Sequence, residues 1–513
     1  MSKRPQNFDP MGRWFVAVLM LGLVLRLIGL GHQSLWLDEM TSIQVASMPL
    51  SQILTGRGFD NHTPPLYYVF LHFFGQVNPL TEFGLRLFSV CIDFVNIILL
   101  WLLCRRFVER RSALLITSAY AVSPFALYYA QEGRMYTLAV FFALVYTYTL
   151  ERVVNAERRF VLWAIMAGIM LALGVYTHYY MAFYAFGVFS AALFAVRRCY
   201  ARISAIVLSG LLAVVLFAPW IPIVVQLVGG AGQTFRTHLL SVIPYTVFRY
   251  VIGYAVFPLN MHTKENLVGA VIGHAPYVVA VFGTLLLLGP AVLRRDTLRN
   301  SLLVAAGWVL TVPLVVGLLI SLKVPMLSER YLIVSFPVFL FVCLAFQDFS
   351  QRRSVVATGL FFVLLVAGDI AYFLNPLFGK AQWRDAAGYV ERILDHDGLV
   401  FVEPDYAAPV FQYYYRGPQP VYALQLAKLE NARLEAESQL HRRLLGYRRF
   451  VLITSGPQTP DTGYAKVLTK YAEKRQTQVF ELETGIVCTT WELVHDRRGN
   501  QGHLTTGEPN IKS

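Results

Sequence analysis

Runs of mostly apolar residues, roughly 17 to 25 long, recur from residue 13 to residue 374, and nothing else in the sequence constrains the fold as tightly. A helix rising 1.5 Å per residue needs about 20 residues to cross about 30 Å of hydrocarbon. The spacing predicts about eleven spans, at 13–31, 83–107, 112–130, 135–150, 160–177, 180–196, 203–225, 268–293, 301–321, 331–346 and 355–374. Lipid offers no hydrogen bonds, so each span must satisfy its own backbone as a helix. Composition agrees: 56% of the 513 residues are hydrophobic and 15% charged, too apolar for an ordinary soluble protein.

A net charge of +13 would suggest nucleic acid in a soluble domain, but here the basic residues fall in short clusters between apolar runs, as topology signals do, and nucleic acid is set aside. With Lys3, Arg4 and Arg13 in the cytoplasm, the clusters at 105–111, 157–159, 197–202, 294–299 and 351–353 are all cytoplasmic. An odd number of spans then puts the tail outside. The run at 14–30 has no small-residue cleavage site after it and reads as a retained helix rather than a signal peptide. The expected arrangement is a membrane crossed many times, with the N-terminus cytoplasmic and the C-terminal domain extracytoplasmic.

Two long connections, 32–82 and 226–267, face outward in this scheme. Each holds an apolar piece too short to span, 64–75 and 245–258, expected as a juxtamembrane helix on the outer face or one dipping into a cavity. The domains expected are a transmembrane part at 1–374, a small extracytoplasmic α/β domain at 375–496, and a disordered polar tail at 497–513. Within the α/β domain, "QWRDAAGYVERILD" has helical spacing, "GLVFVEP" and "RRFVLITSG" read as buried strands, and "TQVFELETGIVCTTWELV" as a hairpin. The five cysteines build no disulfide framework and no zinc pattern.

Polar residues gather at the outward ends of the runs: Asp38, Glu39, Arg57, Asp60, His62, Arg86, Gln131, Glu132, Arg134, Tyr136, His178, Glu329 and Arg330. Each has an ordinary structural explanation alone. Asp38 fits an N-cap of a short helix starting at Glu39, Pro64 and Pro65 a turn into a helix, His178 an aromatic belt, and Arg86 a side chain snorkelling to headgroups. Arg134 and Arg330 fit salt bridges to Glu132 and Glu329. Together, mixed charges at one depth on several connections suit a reaction cavity and would be costly against lipid.

Several of these stretches resemble one family: "SLWLDE" after the first span, "HTPPLYYVFLH" further on, "LRLFSV" opening the second span, then "YYAQEGRMYTL" and "YTHYY". The chain resembles the bacterial polyprenyl-phosphate-dependent glycosyltransferases of the GT-C fold, the group that includes protein mannosyltransferases and the aminoarabinose transferase of lipid A. The resemblance covers the membrane part, most specifically 32–180. It implies Asp38 as the catalytic carboxylate, a polyprenyl-phosphate (undecaprenyl phosphate) sugar donor, and a lipid, glycan or protein acceptor. Some members carry a Lys or an acid–Lys pair before Pro-Pro that contacts donor phosphate or metal; this chain departs from them with His62-Thr63 there.

The residues permit the chemistry. Near Trp36 and Leu37, Asp38 can serve as a base with its pKa raised toward the working range, and Glu39 can orient it or bind a cation. Arg134 and Arg330, with Arg57, His62 and His178 behind them, can offset the charge of a departing phosphate; Asp60, Arg86, Glu132, Tyr136 and Glu329 complete the expected substrate-binding set. A divalent metal, if present, would sit on Glu39 and His62. One base without a carboxylate nucleophile implies inversion at the anomeric carbon. The rival reading is a transporter or flippase of lipid-linked sugars, which would ordinarily show pseudo-symmetric repeats.

Overall fold

The computed structural model describes residues 10–56, 63–230, 242–257, 269, 272–289, 297–323, 327–425, 440, 442–444, 446–456, 464–469, 471–480 and 485–493. The chain divides into two compact units, the first ending at Lys380 and the second beginning at Ala381.

The first unit is helical. In order come α1 (Pro10–Leu27), α2 (Leu37–Ala46), α3 (Leu50–Thr55), α4 (Leu66–Val77), α5 (Glu82–Cys104), α6 (Arg110–Ala121), α7 (Pro124–Ala130), α8 (Tyr136–Asn155), α9 (Phe160–Thr177), α10 (Tyr180–Ala195), α11 (Tyr200–Phe217), α12 (Ile221–Gly230), α13 (Val242–Ile252), α14 (Ala275–Leu288), α15 (Thr297–Ser321), α16 (Phe336–Leu344) and α17 (Arg352–Leu374). Among the described residues seven helices are long and apolar enough to cross a membrane, α11 counting with the start of α12, and α6 with α7 forms an eighth if that pair, bent by 56°, is one span. The bend has a local cause: Pro124 stands at the first turn of α7 and Ser123 caps it by accepting the Ala126 N–H at 3.2 Å. The three other expected spans fall on the shorter helices α10, α14 and α16, of 16, 14 and 9 residues, and residues 268, 270–271 and 290–293 lie outside the described residues. A count of eleven is therefore not reached by length alone.

The two short apolar pieces are helices, α4 and α13, as expected. Large apolar side chains such as Trp14, Met20, Leu208, Val215 and Leu286 stand exposed on helices that the spacing assigns to lipid. Inside, small residues let helices approach closely. A Cβ added to Gly168 of α9 would lie 2.7 Å from the Ser209 carbonyl of α11. Arg26 of α1 is fully buried and pairs with Asp93 of α5 at 2.6 Å; Tyr120 of α6 donates to the same carboxylate at 2.6 Å. These bonds tie α1, α5 and α6 together beneath the polar loops.

The second unit is a five-stranded sheet with helices. Its strands are β1 (Leu399–Glu403), β2 (Val421–Ala423), β3 (Arg449–Ser455), β4 (Ala472–Phe480) and β5 (Ile486–Leu493), in the order β2-β1-β3-β5-β4. β1 runs parallel to β2 and β3, and β5 antiparallel to β3 and β4. The expected helix forms as α18 (Trp383–Ile393), burying Trp383, Ala386, Ala387 and Val390, the i, i+3, i+4, i+7 face its spacing encodes. The helices α19 (Ala408–Tyr414) and α20 (Tyr464–Leu468), and the short strand β2, were not anticipated. All five cysteines are free, and burial pushes the Cys488 thiol up to about 12, so it stays protonated.

Candidate active site

The turn after α1 delivers the two carboxylates. Gly29 takes a left-handed conformation (φ 67°) that reverses the chain before α2. Trp36, not Asp38, is the N-cap of α2, and no side chain caps it. Asp38 and Glu39 thus both lie in the first turn, where the helix dipole favours negative charge. Consecutive helical residues point about 100° apart. Glu39 accordingly turns inward and is fully buried, while the Asp38 side chain is 34% exposed.

Glu39 is saturated with donors. Arg86 of α5 holds it by a fork, Nε to Oε1 at 2.9 Å and Nη2 to Oε2 at 2.8 Å. The Gly133 N–H donates to Oε1 at 2.9 Å and the Lys380 ammonium at 2.6 Å. Arg86 spends its other N–H groups on the carbonyls of Leu30, Gln33 and Ser34 at 2.9 to 3.0 Å. Burial would raise the Glu39 pKa, but Arg86 and Lys380 outweigh it and hold the carboxyl at about 2. Glu39 therefore stays ionised and is not a proton acceptor, and Arg86 is a buried structural cation rather than one snorkelling to headgroups.

Asp38 has a different surrounding from the one expected. It faces guanidiniums rather than an apolar wall: Arg330 Nη1 lies 3.4 Å from Oδ2 and Arg134 Nε lies 4.0 Å from it. Both arginines turn to Asp38, which corrects the pairing with Glu132 and Glu329. Arg134 is fixed from its Nη1, which reaches the Asp38 carbonyl at 3.2 Å, Ser42 Oγ at 3.3 Å and Tyr68 Oη at 3.2 Å. Its Nε–H is buried without a hydrogen-bond partner among the described residues. Tyr68 and Thr63, 2.8 Å apart, are what "HTPPLYY" contributes here.

Glu132 is buried, and its Oε2 has no partner among the described residues. Burial pushes its carboxyl up to about 8, so it is mostly protonated at neutral pH. His178 is buried beside Tyr331 and Tyr136, and its Nδ1 accepts the Tyr180 N–H at 3.2 Å. Burial, then Arg134 and Arg330, lower its pKa to about 3. The imidazole is therefore neutral beside the two arginines, able to hydrogen-bond a phosphate but not to add charge. Glu329 accepts from Ser328 Oγ at 3.2 Å. Arg57, Asp60 and His62 lie outside the described residues.

The donor set does not suit a metal at Glu39. Oε1 already receives three hydrogen bonds, two of them charged, and among the described residues no group of three or more His, Cys, Asp or Glu side chains is placed to hold an ion. Sequence reasoning missed Lys380, Ser42, Tyr68 and the Gly133 amide. Tyr68 and Gly133 lie within the quoted motifs and were legible as candidates; Lys380 lies in "FGKAQW", which carries no signal of its own.

The family model for dolichyl-phosphate-mannose-protein mannosyltransferase matches residues 62–223. The chain is similar to the apo crystal structure of ArnT from Cupriavidus metallidurans, at 13% identity and a TM-score of 0.50, over 94% of this chain and 98% of that one. It is also similar to the structure of that ArnT bound to undecaprenyl phosphate (14% identity, TM-score 0.48, 94% and 98% covered). A third likeness is to the archaeal oligosaccharyltransferase AglB from Archaeoglobus fulgidus in complex with an inhibitory peptide and a dolichol-phosphate (11% identity, TM-score 0.46, 86% and 70% covered). No curated protein sequence matches the chain. The first structural likeness establishes the fold: a polytopic helical membrane protein of the GT-C class with a small C-terminal α/β region.

Proposed function

We propose that this chain is an inverting glycosyltransferase that moves a sugar from a polyprenyl-phosphate donor to a hydroxyl or amine of a lipid, glycan or protein acceptor, at the outer face of a bacterial cytoplasmic membrane. The observation that carries the reading is the meeting of two guanidiniums on the half-exposed Asp38, one of them with an unused Nε–H, beside a Glu39 whose charge is already neutralised. The family model, named for a lipid-phosphate sugar donor, supports the donor class.

Asp38 takes the proton of the attacking O–H or N–H as that atom bonds to the anomeric carbon and the bond to the phosphate oxygen breaks. The electron pair leaves on the polyprenyl phosphate, whose charge Arg134 and Arg330 offset. The same two arginines pair with Asp38, so a donor phosphate would compete for them and free the carboxylate to act as base. Glu132 and Tyr136, both buried close to Arg134, complete the proposed substrate-binding set.

Mass spectrometry of lipids, surface proteins and glycans from a deletion strain tests this. The expected result is loss of one sugar unit from one acceptor class and accumulation of the lipid-linked donor. The same loss with the donor confined to the cytoplasmic leaflet would instead indicate a flippase, and unchanged acceptors would contradict both readings.

A further inference from the structure

Six residues after the end of α17, Lys380 returns to the polar site. The segment between is fixed at several points: Asn375 Nδ2 donates to the Ala255 carbonyl at 2.7 Å, Asn375 Oδ1 accepts the Leu377 N–H at 2.9 Å, and the Phe378 ring lies 5.7 Å from that of Tyr372. The Lys380 N–H donates to Gln33 Oε1 at 3.1 Å. Its ammonium is buried, 2.6 Å from Glu39 Oε1 and 3.2 Å from the Gln131 carbonyl. Gln131 is itself clamped, donating to the Arg26 and Ile28 carbonyls at 2.9 and 2.8 Å and accepting from Tyr372 at 2.8 Å.

A buried ammonium is costly unless it is paired. Here Arg86 alone would already neutralise Glu39, so the second cation asks for a reason. The Gln131 carbonyl supplies it, because one ammonium thereby joins Glu39 of α2 to the turn that leads into Arg134. We propose that Lys380 is the internal counter-cation of the carboxylate cluster, a positioning residue that pins Glu39 and the Gln131–Gly133 turn, so that Asp38 and Arg134 on either side are held in register. The site thereby carries within its own chain a cation at the place where a metal on Glu39 would otherwise sit. This deepens the proposed function and rests on it for the catalytic part alone.

The test compares the full-length wild type, Lys380→Ala and Lys380→Met in detergent, with ethylammonium chloride or sodium chloride at equal ionic strength. Lys380→Ala is expected to unfold on the order of 5–10 °C below wild type, and ethylammonium, not sodium, to restore it. Lys380→Met fills the same space without charge and is expected to be lowered and not restored, while wild type is indifferent to the amine. If Lys380→Ala survives extraction only in ethylammonium, that is the same result. In a transfer assay the amine is expected to restore kcat and the pH profile of Lys380→Ala with the donor KM little changed. A Lys380→Ala protein as stable as wild type, or one whose loss sodium repairs equally or ethylammonium leaves unrepaired, overturns the proposal. Amine rescue of stability in a chain whose wild type transfers no sugar would uphold Lys380 and reject the glycosyltransferase reading instead.

Discussion

Asp38→Asn is expected to slow sugar transfer by ~10²- to 10⁴-fold while the protein stays folded and binds its donor, since loss of a general base typically costs that much. The swap keeps size and removes the lone pair that takes the proton. A capping role would forgive it, because Asn caps about as well as Asp, but Trp36 is the cap and Asp38 lies inside the first turn. What the helix loses is a favourable charge near its N-terminus, worth about 0.3–1 kcal/mol. Donor affinity should hold or rise, because Arg134 and Arg330 lose the carboxylate that competes with phosphate. Labelled polyprenyl-phosphate sugar, assayed for binding and for transfer separately, reads both. Near-wild-type turnover would move the base to Glu132 or Asp60.

Glu39→Gln should act in another way, through folding. The change strands two buried cations, Arg86 and Lys380, and breaking a buried pair from one side costs about 3–5 kcal/mol. Poor yield or a much lowered unfolding midpoint is expected, rather than a folded protein with a slow step. The acid limb gives a second readout. With the folded carboxyl held at about 2 against an ordinary 4.5, its stabilisation is complete above pH 4.5 and is lost as pH falls toward 2. The midpoint of wild type should fall through that window, and Glu39→Gln should lack this share of the fall. A Glu39→Gln protein of full stability that failed only in transfer would instead make Glu39 part of the chemistry.

Periodicity and composition made the membrane part legible, because crossing lipid imposes a length and a pattern that local sequence must show. The run "GLVFVEP" and its partners likewise betrayed the sheet, each being a short apolar run between turns. The helices α10, α14 and α16 were harder, since an apolar run of spanning length does not reveal where a helix breaks off; the Pro337 turn shortens one of them. In the site, residue types and depth were legible but pairing was not. Arg330 meets Asp38 across 292 positions and Lys380 meets Glu39 across 341. Glu132 and Glu329 were the nearer acids in sequence, yet the fold, not proximity along the chain, decides which carboxylate a guanidinium reaches. Asp38 and Glu39 could not be told apart from sequence either. Their division into one half-exposed and one buried carboxylate follows from α2 beginning at Leu37, so that each points a different way.

The most direct measurement is the anomeric configuration of the product, read by NMR, after purified wild-type protein acts on a polyprenyl-phosphate sugar of known configuration with Asp38→Asn as the control. Transfer by wild type alone, with the product configuration opposite to that of the donor, is the expected result. Retained configuration would require a covalent carboxylate intermediate, and transfer by both proteins alike would require another base; either would contradict a site built on one half-exposed carboxylate between two arginines.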